Sequence, residues 1–111
     1  MRRSAILRVV LSVAMLSGLA ATPAAADAID GTWCAVDGRI MEIKGPAITT
    51  PGGTDTTGNY GRHSFSYVVP GGENPAGETV RMVLKNENIV HLKIGDQAGE
   101  AEVWQRCKTV S

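Results

Sequence analysis

Two histidines, two cysteines and a few acids are the side chains through which this 111-residue chain could do chemistry. His63 and His91 cannot complete a closed zinc site, which takes four ligands, if the cysteines are spent elsewhere. Asp55 could join His63, but nothing in the spacing requires it. His63 and Ser64 are neighbours on a predicted strand, so they point to opposite faces and do not make a nucleophile–base pair. Gly52-Gly53 and Gly71-Gly72 lack the spacing and the following helix of a phosphate loop, and no Gly-x-Ser-x-Gly elbow occurs. Glu100 and Glu102 share a face of an outer strand and read as a solvated pair. The expectation is a protein with no catalytic residue, no metal and no cofactor.

Recognition chemistry is denser. Segment 51–62, with His63 adjoining it, gathers Asp55, Asn59, Tyr60, Arg62 and His63, and tyrosine and arginine are favoured at interaction hot spots. We read this segment as a long polar loop and the candidate binding loop. Segment 70–78 is a second long loop, and in a meander the two fall at opposite ends.

Cys34 and Cys107 are the only cysteines. What they do depends on compartment. Met1-Arg2-Arg3, an apolar run from Ile6 to Leu19 and Ala24-Ala25-Ala26 read as the charged, apolar and cleavage regions of an export leader. The run is too short to serve as a stable span, so no membrane anchor is expected. Residues 1–26 are thus a cleaved signal peptide and 27–111 a single β-domain, placed in the periplasm or outside a bacterial cell. There thiols oxidise, and Cys34 and Cys107 are expected to form a disulfide. Its loop of about 74 residues makes it worth roughly 4 kcal/mol on the chain-entropy model.

Removing 26 of the 111 residues leaves 85, with 8 basic against 11 acidic side chains and a net charge of −3. The basic residues are scattered, so nucleic acid is excluded as a partner class. A monomer binding a small ligand or an envelope protein is expected.

Period-two alternation recurs between turn signals. Phe65, Tyr67 and Val69 share one face of 64–69; Val80, Met82 and Leu84 share one of 79–85; Val90, Leu92 and Ile94 share one of 89–94. Further strands are predicted at 31–36, 39–44, 47–50 and 100–107, with a hairpin at Asp37-Gly38. Seven strands whose first and last members are bridged by a disulfide must curl, so the fold is predicted as all-β: a small up-and-down antiparallel barrel or strongly curled meander of seven to eight strands. An odd count would make the closing strands parallel, which points to a missed strand; a two-layer sandwich is the alternative. Trp104 shares a face with Glu100 and Glu102, so either a bulge intervenes or the ring is exposed.

Gly31-Thr32-Trp33 on the first strand and Arg106 in the last resemble the signature of lipocalin-like small β-barrels, a group that includes avidin-like binders and periplasmic metalloprotease inhibitors. The resemblance implies that Trp33 and Arg106 pack face-on at a closed barrel end, as a cation–π pair. The expected function is an exported, non-catalytic binding or interaction module. The rival readings are a protease-inhibitor-like protein acting through its exposed loop and an envelope structural component.

Overall fold

The computed structural model describes residues 28–96 and 98–108; the predicted leader at 1–26 lies outside the described residues. Nine strands follow one another: β1 Gly31–Cys34, β2 Ile40–Lys44, β3 Ala47–Thr49, β4 Asp55–Thr57, β5 Asn59–Gly61, β6 Ser64–Val68, β7 Thr79–Asn86, β8 Ile89–Ile94 and β9 Glu102–Arg106. They form one sheet in the order β4-β3-β2-β1-β9-β8-β7-β6-β5, with every pairing antiparallel. The sheet curls into a nearly closed all-β barrel, and the disulfide Cys34–Cys107, with Cα atoms 5.1 Å apart, ties the first and last strand regions.

The strand missing from the sequence reading is 55–61. β4 and β5 are two halves of one extended run, bent at Gly58: the first half pairs with β3, and the second pairs with β6. Counted as one, they make the number of passes even, and β1 meets β9 antiparallel through Trp33↔Arg106 and Cys34↔Gln105. The expectation of a loop over 51–62 is therefore corrected to a short turn followed by strand. At the bend the Gly58 amide donates to the Pro46 carbonyl at 2.9 Å, and any Cβ there would collide with the Ser66 carbonyl oxygen and the Phe65 ring. Only glycine lets the chain leave one neighbour and join the other.

This extra pass also changes which connections share an end. Connections 35–39, 50–54, 69–78 and the described residues of the β8–β9 connection, 95–96 and 98–101, lie together at what we term the upper end, so the two long polar segments are not at opposite ends as predicted. Turns 45–46, 62–63 and 87–88 lie at the lower end with the approach to β1. Alternation supplies the interior: Trp33, Met41, Ile43, Ile48, Phe65, Tyr67, Val69, Val80, Met82, Val90, Leu92 and Trp104 are all buried. Leu84 and Ile94, predicted inward, are partly buried against this core. The β7–β8 ladder shifts register between Leu84 and Asn86, so Lys85 is a bulge residue.

Candidate functional site

The run shared between two neighbours leaves two gaps in the barrel wall, and each is closed by different chemistry. Below Gly58, where β5 parts from β3, the segment before β1 fills the space. Ile29 donates its amide to the Arg62 carbonyl at 2.8 Å, and the Asp30 carboxylate accepts from the Gly45 amide at 2.7 Å and from the Tyr60 hydroxyl. Above Gly58, where β4 parts from β6, the 69–78 connection leans across. Glu73 Oε2 accepts from the hydroxyls of Thr50 and Thr54, both at 2.6 Å, while the Thr54 amide donates to Thr50 Oγ1 at 3.1 Å. Thr50 is 1% exposed, the one buried polar residue described. These two hydroxyl donors, Thr50 first, hold the Glu73 carboxyl below its ordinary range.

At the lower end Arg106 lies over the Trp33 ring, its guanidinium carbon 4.4 Å from the centroid. The guanidinium donates to three backbone carbonyls: Glu87 at 2.7 Å, Asp30 at 2.8 Å and Ala28 at 3.2 Å. Trp33 Nε1 donates to the Ile29 carbonyl at 2.9 Å. Gly31 has a φ of +134°, and a Cβ there would strike Arg106 Nη1, so glycine is needed for the guanidinium to pass. The guanidinium and the indole of this plug are both engaged by backbone carbonyls.

The upper end has a second tryptophan–arginine pair and a cavity. Arg39 sits over Trp104, 5.0 Å from its centroid, donates to Asp37 at 2.9 and 3.0 Å and reaches Glu102 at 3.2 Å. Trp104 Nε1 donates to Glu102 Oε1 at 3.0 Å. Trp104 is 0% exposed: it turns inward, while Glu102, at the top of β9, bends over the rim to accept from the indole. No bulge in the β8–β9 ladder is required. The hydrogen bond to Arg39 lowers the Asp37 carboxyl and raises the Arg39 guanidinium.

The cavity beneath this rim has a volume of about 380 Å³, at the small end of ligand sites. Its walls are Tyr67, Val69, Val80, Leu92, Ile94 and Trp104, and Arg39, Glu73 and Asn74 stand at its mouth. Tyr67 is 6% exposed, and its hydroxyl makes no hydrogen bond among the described residues. Burial, followed by the nearby Glu73 charge, pushes this phenol up to about 12.

The five predicted loop residues do not converge on the cavity. Asp55 starts β4 and accepts from Thr49 Oγ1 at 2.7 Å; Asn59 and Tyr60 lie on β5; Arg62 and His63 form the lower β5–β6 turn. Tyr60 and the Arg62 backbone are engaged in closing the lower gap. His91 lies on the outer wall between Val83 and Val103, away from His63. No group of three or more His, Cys, Asp or Glu side chains able to hold a metal occurs among the described residues. No helix of the described residues is long and apolar enough to cross a membrane.

Sequence reasoning missed Arg39 and Glu73. Their signal is spatial, since it depends on the 50–54 and 69–78 connections sharing an end. No protein-family model, curated protein or solved structure matches the chain. What can be said of its class therefore rests on the fold and this site: a disulfide-tied, nearly closed antiparallel β-barrel with one end plugged and the other open.

Proposed function

We propose that this protein is an exported, non-catalytic binding module of lipocalin-like character that takes a small ligand in the cavity at its upper end. The observation that carries the reading is the asymmetry of the interior. Trp33, Met41, Phe65 and Met82 are buried in the core and line no part of the upper cavity, which opens into about 380 Å³ walled by apolar and aromatic side chains. The Tyr67 hydroxyl lines this cavity and has no protein partner among the described residues, so it is placed to hydrogen-bond a ligand. Export is supported by the leader pattern and by a disulfide of the kind that persists in oxidising compartments. A protease-inhibitor-like role for 51–62 loses its main support, since most of that segment is strand.

The test is a probe that fills the cavity. Small apolar probes are expected to change Trp104 emission in the wild-type protein, and Leu92→Phe, which narrows the pocket without adding an indole, is expected to diminish that response while Trp33→Phe preserves it. A panel of probes that leaves the emission unchanged would exclude the cavity as a binding site.

A further inference from the structure

We propose that the upper cavity is selective for an organic cation: a protonated amine on a small apolar body, with the ammonium seated between the Glu73 carboxylate and the Tyr67 hydroxyl. This rests on the reading of the cavity as a ligand site and adds the chemical class of its occupant.

Three features converge on it. The first is an anion without a cation. Glu73 lines the mouth, and its ionised form is stabilised by the neutral donors Thr50 and Thr54; no ion pair involves it among the described residues. Both hydroxyls bind Oε2 and the Gly52 backbone also donates to this carboxylate; a carboxylate offers about four acceptor positions, so one remains for a ligand. The second is Tyr67, 6% exposed in the wall of the same cavity, whose oxygen can accept a hydrogen bond from an ammonium N–H. The Tyr67 ring also presents a negative face to a cation, the arrangement by which proteins recognise substituted ammonium groups.

The third is the charge of the upper-end connections, of which Glu73 and Arg39 line the cavity itself. Connections 35–39, 50–54, 69–78 and 95–101 carry Asp37, Glu73, Glu78, Asp96 and Glu100 against Arg39 alone. The outer-wall pair Arg81 and Lys93 points away from the cavity, as the alternation of β7 and β8 requires. Arg39 does not reverse the sign, because its guanidinium is shared by Asp37 and Glu102, two carboxylates for one positive charge. An anionic ligand would meet Glu73 at the entrance with no unengaged cation to offset it. A neutral ligand would leave the charge unused. A monocation is the species that both Glu73 and Tyr67 satisfy.

Three matched probes separate the possibilities: 2-phenylethylamine, its neutral analogue 2-phenylethanol and its anionic analogue phenylacetate, each titrated calorimetrically into the processed, disulfide-intact protein. The amine is expected to bind at least tenfold more tightly than the alcohol, and phenylacetate more weakly still. Glu73→Gln keeps a carbonyl acceptor for Thr50 and Thr54 but removes the charge. It is expected to erase the preference for amine over alcohol, with far-ultraviolet circular dichroism showing that the barrel remains folded. Tyr67→Phe is expected to weaken the amine severalfold with the barrel intact. Equal affinity for amine and alcohol in the wild type, or an amine preference that survives Glu73→Gln, overturns the cation inference and leaves the cavity reading standing. Failure of all three probes to bind overturns both.

Discussion

The two ends of this barrel are built from the same pair of residue types and put them to opposite uses. Trp33 with Arg106 and Trp104 with Arg39 are both cation–π pairs, at 4.4 and 5.0 Å, and both tryptophans are fully buried. The difference lies in what the guanidinium does next. Arg106 reaches inward to carbonyls from the segment before β1 and from the β7–β8 turn, and so joins the N-terminal segment, β1, β9 and the far hairpin in one cross-brace. Arg39 reaches along the surface to Asp37 and Glu102, whose side chains are 54% and 43% exposed. The lower pair makes the protein; the upper pair borders a space. A planar fork with fixed donors can serve either purpose, and the partners offered by the surrounding backbone decide which.

The comparison is tested most strongly at the covalent tie beside the lower pair. The variant Cys34→Ala/Cys107→Ala is expected to lose about 4 kcal/mol of stability, as the constraint on a loop of about 74 residues is removed from the unfolded chain. For a domain of this size that is a large part of the whole, and urea unfolding monitored by tryptophan emission measures it. A loss under about 1 kcal/mol would mean that the lower plug holds the barrel shut unaided.

Next in size is the bend on which both gaps depend. Gly58→Ala is expected to cost about 2–3 kcal/mol, because its Cβ would collide with the rigid Ser66 carbonyl rather than with a side chain that can move. A near-neutral effect would show that 55–61 can pass between its neighbours by another route. The arginines themselves sharpen the contrast. Arg106→Lys keeps the charge but loses the fork, and is expected to cost about 2 kcal/mol as the carbonyls lose their donors. Arg39→Lys is expected to cost under about 1 kcal/mol, since exposed ion pairs contribute little. Equal penalties would dissolve the distinction between a structural and a bordering pair.

How far these ends were legible in the sequence depended on whether alternation reached them. The faces of 64–69, 79–85 and 89–94 carry apolar residues at every second position, and most of the core follows from that rhythm, while the disulfide follows from the leader pattern and the two cysteines, and closure of the sheet follows from the disulfide. The run 55–61 carries no such rhythm. Its residues are Asp, Thr, Thr, Gly, Asn, Tyr and Gly, and only Thr56, Gly58 and Gly61 are even half-buried. A strand that spends half its length on each of two neighbours turns few side chains inward, so the hydrophobic pattern has little to record. Missing it reversed the polarity of everything downstream, and placed 51–62 and 70–78 at opposite ends. Glu73 could not then be set beside Thr50 and Thr54, and the upper site stayed hidden although Tyr67 and Trp104 were both in view. The fault was topological, one pass of the chain, and its cost fell on the site rather than the core.

The smallest effect expected separates the two ends through their tyrosines, the only two in the chain. Both phenols are raised, for different reasons. Tyr60, at the lower end, is raised first by the hydrogen bond it donates to the Asp30 carboxylate, while Tyr67, at the upper end, is pushed to about 12, first by burial and then by Glu73. A phenol raised in the folded state contributes stability that is fully present below its unfolded value near 10 and is lost as pH rises towards the folded value. Unfolding midpoints are therefore expected to hold steady up to about pH 10 and to decline from there to 12. Absorbance titration at the phenolate band assigns the shares: Tyr60→Phe leaves one late-ionising group near 12, and Tyr67→Phe leaves an earlier one that returns towards 10 when Asp30→Asn is added. If Asp30→Asn instead leaves Tyr60 unmoved, its hydroxyl is not held by that carboxylate and the lower gap is closed by backbone bonds alone. Because Tyr67 owes its shift first to burial, a permanently charged ammonium bound beside its oxygen should draw its ionisation down from about 12. No ligand is expected to move Tyr60.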